Sequence, residues 1–135
     1  MMSEVIVDSS ALIAFFVKSE KHHLTAQEFV QTHPHTPWII LDTVFSETVT
    51  WVRIKISIPH SIQIGQLLRQ EHRYIQLSPE DDNATWDIFQ RYQDKQWSYT
   101  DCSILAMSQR LRVSEVFAFD EHIRQMAGLN VVCVP

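Results

Sequence analysis

The sequence predicts a three-layer α/β/α fold with a mostly parallel sheet of about five strands. Strand-like apolar runs alternate with helical patterns along the whole chain. Such runs also stand at the start, in the middle and at the end, so one sheet draws on the full length. The 135 residues include only two glycines and five prolines, and no repeat or long linker divides them. Residues 1–135 therefore read as a single domain with one core.

Each element has a local reason. Glu4-Val-Ile-Val7 is a short apolar run and predicts a buried strand. Ser9 to about Val17 predicts a helix, with Asp8 or Ser9 near its N-cap. A second helix is predicted from His22 to about Thr32, and His33-Pro-His-Thr-Pro37 breaks it. Trp38 to Leu41 predicts a strand. A helix from Thr43 to about Ile56 follows, capped by Asp42. Pro59 opens another helix that ends near Glu71, and Tyr74 to Leu77 predicts a strand. Ser78-Pro79-Glu-Asp-Asp82 combines a cap, a first-turn proline and acids suited to the helix dipole. The last third predicts a helix over Tyr99–Leu111, a strand over Glu115–Phe119, a short helix over Glu121–Ala127 before Gly128, and a final strand over Val131–Val134.

Composition narrows the class. Hydrophobic residues make up 45% of the chain and charged residues 20%, values of a soluble globular protein. The longest apolar run is too short to cross a bilayer, and no signal-like segment is visible, so a cytoplasmic location is expected. Cys102 and Cys133 form neither a CxxC pair nor a zinc-like array and read as two buried thiols. The net charge of −5 argues against a plain nucleic-acid-binding module, because phosphate binding usually shows as a basic excess. Two bound divalent cations would bring the −5 balance to −1, so a metal-dependent nuclease is not excluded.

In open α/β sheets, sites form beyond the carboxyl ends of the strands. Three predicted strands end in aspartate, at Asp8, Asp42 and Asp120. Asp8 is the best single candidate, whereas Asp42 is read as a helix cap. Glu47 lies on one helical stripe with Trp51, Ile54 and Ile58. Either this charge finds a partner or a metal, or it is an edge glutamate reaching solvent; the pattern does not choose. Asp101 lies in a first helical turn, where acids are common, and gains weight only from its company. Clustered carboxylates repel one another unless hard cations such as Mg²⁺ or Mn²⁺ neutralise them, and such sites hydrolyse phosphodiesters without a protein nucleophile.

Four segments in order resemble the PIN-domain family, and within it the VapC-type toxins of bacterial toxin–antitoxin pairs. They are Asp8-Ser-Ser-Ala-Leu-Ile-Ala14 after the opening strand; Phe45-Ser-Glu47; Trp97-Ser-Tyr-Thr-Asp-Cys102 running on to Met107; and Phe117-Ala-Phe-Asp-Glu-His122 with Gln125-Met-Ala-Gly128. No one segment is specific, but four at family-like separations are. The resemblance implies a PIN-like fold in which Asp8, Glu47 and Asp101 bind metal and Asp120 completes the site directly or through water. It implies supporting hydrogen bonds from Ser10 and Thr100, and more weakly from Ser98. It further implies endonucleolytic RNA cleavage with one or two Mg²⁺ or Mn²⁺ ions, a small antitoxin as partner, and a homodimer. It does not choose among transfer, ribosomal and messenger RNA.

Other residues read more blandly. The pairs His22/His23 and His33/His35 lack the i, i+4 spacing of a zinc site and are expected at the surface. His122 lies within reach of substrate by position, but a helix-start surface role is the plainer reading. Arg53, Lys55, Arg110, Arg112 and Arg124 are candidates for phosphate contacts, each with a solvated helix face as the alternative. Phe15, Phe16, Trp51 and Trp86 are either core or a partner surface. Two competing functions remain: a non-catalytic relative that binds RNA or protein, and an aspartate-phosphorylating α/β protein. The latter fits poorly, since Ser10 stands where a phosphatase needs a second Asp and no lysine follows Lys95.

Overall fold

The computed structural model describes residues 3–135. A five-stranded, wholly parallel sheet runs in the order β3-β2-β1-β4-β5. Its strands are β1 (Val5–Val7), β2 (Trp38–Leu41), β3 (Arg73–Ile75), β4 (Glu115–Phe117) and β5 (Val132–Val134). The helices are α1 (Ser9–Phe16), α2 (His23–Thr32), α3 (Asp42–Lys55), α4 (Ile58–Glu71), α5 (Pro79–Arg91), α6 (Tyr99–Leu111) and α7 (Glu121–Arg124), with a 3-10 turn at Ala127–Leu129. The expected α/β/α architecture and parallel sheet are both present. No helix among the described residues is long and apolar enough to cross a membrane.

The sheet order follows from the crossovers. The chain steps from β1 to β2 to β3 in one direction, then returns past them to place β4 on the other side of β1. Right-handed crossovers place α1–α4 on one face and α5–α7 on the other. The packing agrees: α1 meets α2 and α3, α3 meets α4, and α5 meets α6. Strands β1 and β2 are buried at every position, as parallel strands covered on both faces must be. Helix α6 is buried without interruption from Asp101 to Ser108. An acid at the start of so deeply set a helix cannot be an ordinary first-turn surface acid.

Several local expectations shift. β3 is centred earlier than Tyr74–Leu77, at the sheet edge, where only one neighbour holds it. The last short helix stops at Arg124 and gives way to the 3-10 turn. Asp42 is not a cap. Leu41 takes the N-cap position because β2 runs directly into α3, and Asp42 becomes the first helical residue. One Asp42 oxygen, Oδ2, accepts the Leu77 N–H at 3.3 Å, while Oδ1 is buried without a partner among the described residues. The supposed apolar stripe of α3 is not its buried face either. Val44, Thr48 and Val52 face the core, while Ile54 is 73% exposed and Ile58 already belongs to α4. Glu47, one residue from Thr48, is therefore exposed, and no burial forces it to find a cation.

Candidate active site

The strand order reverses on either side of β1, and the loops leaving β1 and β4 diverge to opposite faces. Such a switch point opens a crevice at the carboxyl ends of the strands. Asp8 follows β1 and Asp120 follows β4, so the two acids flank it. Asp8 is N-cap of α1, and Asp120 is N-cap of α7, accepting the His122 N–H at 2.9 Å.

Asp8 is 2% exposed. Burial pushes its carboxyl up to about 7, the Ser10 hydroxyl pulls it back, and Asp101 and Asp120 push it further up. Ser10 ties the two strand ends together. Its hydroxyl donates to Asp8 Oδ2 at 2.6 Å and accepts the Phe119 N–H at 3.0 Å.

Asp101 is 4% exposed and reaches the same crevice from the N-terminus of α6. Ser98 and Asp101 form a reciprocal capping box: the Ser98 N–H donates to Asp101 Oδ2 at 2.9 Å, and the Asp101 N–H donates to Ser98 Oγ at 3.0 Å. Burial raises the Asp101 carboxyl above its usual range, the Ser98 amide lowers it, Asp120 raises it and His122 lowers it.

His122 is what sequence reasoning passed over. Its Nδ1 lies 3.1 Å from Asp101 Oδ2 and 3.8 Å from Asp120 Oδ1. Asp101, Asp120 and His122 each offer a ligand atom, and these atoms lie within 4.8 Å of one another. The only signal in the sequence was its position two residues after a strand-terminal aspartate.

Glu47 is joined less directly. It accepts the Ser9 hydroxyl at 2.6 Å, next in sequence to Asp8, but is not part of the close group of Asp101, Asp120 and His122. Thr100 makes no side-chain hydrogen bond to an acid among the described residues; it lines a neighbouring cleft with Asp42, Thr43 and Ser46. Among the basic candidates, Arg110 is committed to Asp81 at 2.6 Å. Arg124 lies beside the Cys133 thiol, whose surroundings include Asp8 and Asp120. Both cysteines are free, Cys102 buried and Cys133 only half-buried. The histidines expected at the surface are partly engaged: His22 stacks on Phe119, and His23 and His33 bond to the carbonyls of Ala14 and Phe29.

Three acids converging on one crevice with a single histidine leave a local excess of negative charge. The donor set of carboxylate oxygens and one imidazole suits a divalent cation. As a cap, Ser98 is expected to act on stability more than on chemistry. Ser98→Ala should cost about 1 kcal/mol, read as a drop of a few degrees in Tm. A cleavage rate that falls with no change in Tm would instead assign Ser98 to the reaction.

A search of curated protein sequences finds no match. Among solved structures, the chain is similar to the Mycobacterium tuberculosis toxin VapC20, described as cleaving the sarcin–ricin loop, with a TM-score of 0.85 and 16% identity over 96% of this chain and 97% of that one. It is also similar to a chain of a toxin–antitoxin complex from Klebsiella pneumoniae, with a TM-score of 0.70 and 20% identity over 96% of each chain. At these identities the likeness is one of fold. The family model of the PIN domain matches residues 5–129, nearly the whole sequence, and the chain belongs to the PIN domain family.

Proposed function

We propose that this chain is a Mg²⁺- or Mn²⁺-dependent endoribonuclease, the toxin of a toxin–antitoxin pair, acting as a single nuclease domain over residues 1–135. The carrying observation is the convergence of Asp8, Asp101 and Asp120 at the switch point, with the first two carboxyls raised above their usual range. Glu47 would complete the set from α3; the Ser9 hydroxyl, beside Asp8, donating to it supports this. The likeness in fold to a toxin described as cleaving the sarcin–ricin loop supports RNA as the substrate class. The likeness to a chain of a toxin–antitoxin complex supports a small antitoxin as partner. A homodimer and a cytoplasmic location belong to the same reading.

Asp101, Asp120 and His122 would hold one cation, with Asp8 and Glu47 beside it. When bound, such an ion polarises the phosphodiester and lowers the pKa of a water. The chain's own residues do the rest. Ser10 fixes the Asp8 carboxylate through one bond and the β4 end through another. The capping box fixes Asp101. The His122 N–H donates to the Asp120 carboxylate, and the His122 ring reaches Asp101. Thr100 stands beside Asp101 at the start of α6, where it can line the substrate path.

Calorimetric titration with Mn²⁺ tests this reading. Wild type should bind, and Asp8→Asn/Asp101→Asn should not. EDTA should stop RNA cleavage, and added Mg²⁺ or Mn²⁺ should restore it. No binding by wild type, even with RNA present, would favour a non-catalytic module that kept the fold.

A further inference from the structure

We infer that a small pocket beside the acids receives one unstacked nucleobase of the RNA and so selects the nucleotide next to the cleaved phosphate. This rests on the nuclease reading above and adds the substrate-binding residues it lacks. The pocket, about 190 Å³ in volume, is lined by Ser10 and Ile13 of α1, Lys21 and His22 before α2, Trp51 of α3 and Phe119 after β4. Its size suits a single ring system, well below the ~300–1,000 Å³ of sites that enclose whole drug-sized ligands.

Two features tie the pocket to the acids. Ser10 and Phe119 belong to both: the Ser10 hydroxyl that holds Asp8 also accepts the Phe119 N–H, and Asp120 follows Phe119 in the chain. Trp51 stands one helical turn beyond Glu47. A base seated here places its sugar and phosphate at the carboxylates without a long reach. A cavity of about 440 Å³ lies at the opposite edge of the sheet, where β2 and β3 begin, and has no such link.

The walls fit a base better than a peptide side chain. His22 and Phe119 stack with centroids 4.6 Å apart and planes 2° from parallel, an aromatic stack in the pocket wall whose outer face a base can extend. Both rings and Trp51 line the pocket and are only partly buried. Single-stranded RNA is recognised by bases splayed onto aromatic faces, with cations tracking the backbone. The exposed Lys21 at the same pocket supplies such a cation, and the Glu20 carboxylate supplies an acceptor for a base amino group.

The test uses the full chain with Mn²⁺ and a single-stranded RNA oligonucleotide, intact or with one base removed beside the cleaved bond. Trp51→Ala and His22→Ala should each raise KM by roughly 10- to 100-fold with little change in kcat. Removing the base should cost wild type a similar factor and cost the variants little more. Trp51→Phe should recover most of the loss, since a ring remains. A second readout needs no catalysis: nucleoside monophosphates should quench a tryptophan emission that is missing in Trp51→Phe. If wild type cuts RNA but the variants keep its KM and its sensitivity to the missing base, the pocket is not a base site and the nuclease reading stands. If wild type cuts no RNA, the nuclease reading fails, while nucleotide quenching of Trp51 still supports the pocket and its absence overturns it. Variants that lose only capture of a protein segment, with RNA kinetics intact, also overturn it.

Discussion

Asp101→Asn is expected to lower RNA cleavage by about 10²–10³-fold or more while leaving the fold intact, the range found when one preorganised electrostatic group is removed from a reaction centre. The side chain does two separable jobs. Its carboxylate supplies charge to the crevice beside Asp120 and His122. Its Oδ2 also accepts the Ser98 N–H and so caps α6. Asparagine keeps an acceptor oxygen for that amide and loses only the charge. It also relieves repulsion from Asp120, one cause of the raised Asp101 carboxyl. The melting temperature should therefore hold or rise in metal-free buffer. Ser98→Ala should do the reverse, with Tm lowered and cleavage largely kept. Cleavage of a mixed RNA pool and thermal melts on both variants check this pair. Wild-type rates from Asp101→Asn would remove Asp101 from the reaction.

Asp8→Asn is expected to stabilise the metal-free protein, and more so as pH rises. Below pH 3.8 the Asp8 carboxyl is neutral in folded and unfolded chains alike and has no effect on stability. Between 3.8 and about 7 the unfolded chain ionises first, so folding becomes progressively less favourable. Above about 7 both states are charged, and the full penalty of about 4 kcal/mol remains. Burial is the first cause, and the charges of Asp101 and Asp120 add to it. Asparagine carries no such titration. Urea unfolding with EDTA should show a gap between variant and wild type that is small near pH 4.5 and widens by several kcal/mol by pH 7.5. Mn²⁺ at about 100 times its dissociation constant should then return about 2.7 kcal/mol to wild type and little to the variant. A gap that stays constant with pH would mean that Asp8 is not the buried, charge-crowded acid described above.

The cap at Ser78 and the acids after it were legible because capping is local chemistry, written within four residues; the cap at Ser98 is written just as locally, but was read only as a supporting residue. The shared edge for Asp8 and Asp120 was legible too. In a parallel sheet every strand ends on the same side, so a strand-terminal aspartate declares its edge without knowledge of the sheet order. Asp42 ends a strand in the same way, yet lies on the far side of β1 from β4, turned toward the β3–α5 connection. The same pattern thus produced one acid outside the close group as well as two acids of the crevice.

Residue by residue, the alternation of elements, the caps at Asp8 and Ser78 and the candidate acids follow from the sequence because they depend on neighbours a few positions away. Strand order does not, and it decided the rest. Only the placing of β4 beside β1 makes Asp8 and Asp120 neighbours and bonds Phe119 to Ser10 across 109 residues. Only packing brings the His122 ring to Asp101 and turns Glu47 toward Ser9 rather than into an apolar stripe. Helical periodicity reports which residues share a face, but not whether that face meets the sheet or the solvent; on α3 it meets the sheet at Val44, Thr48 and Val52, one position off the stripe that carries Glu47.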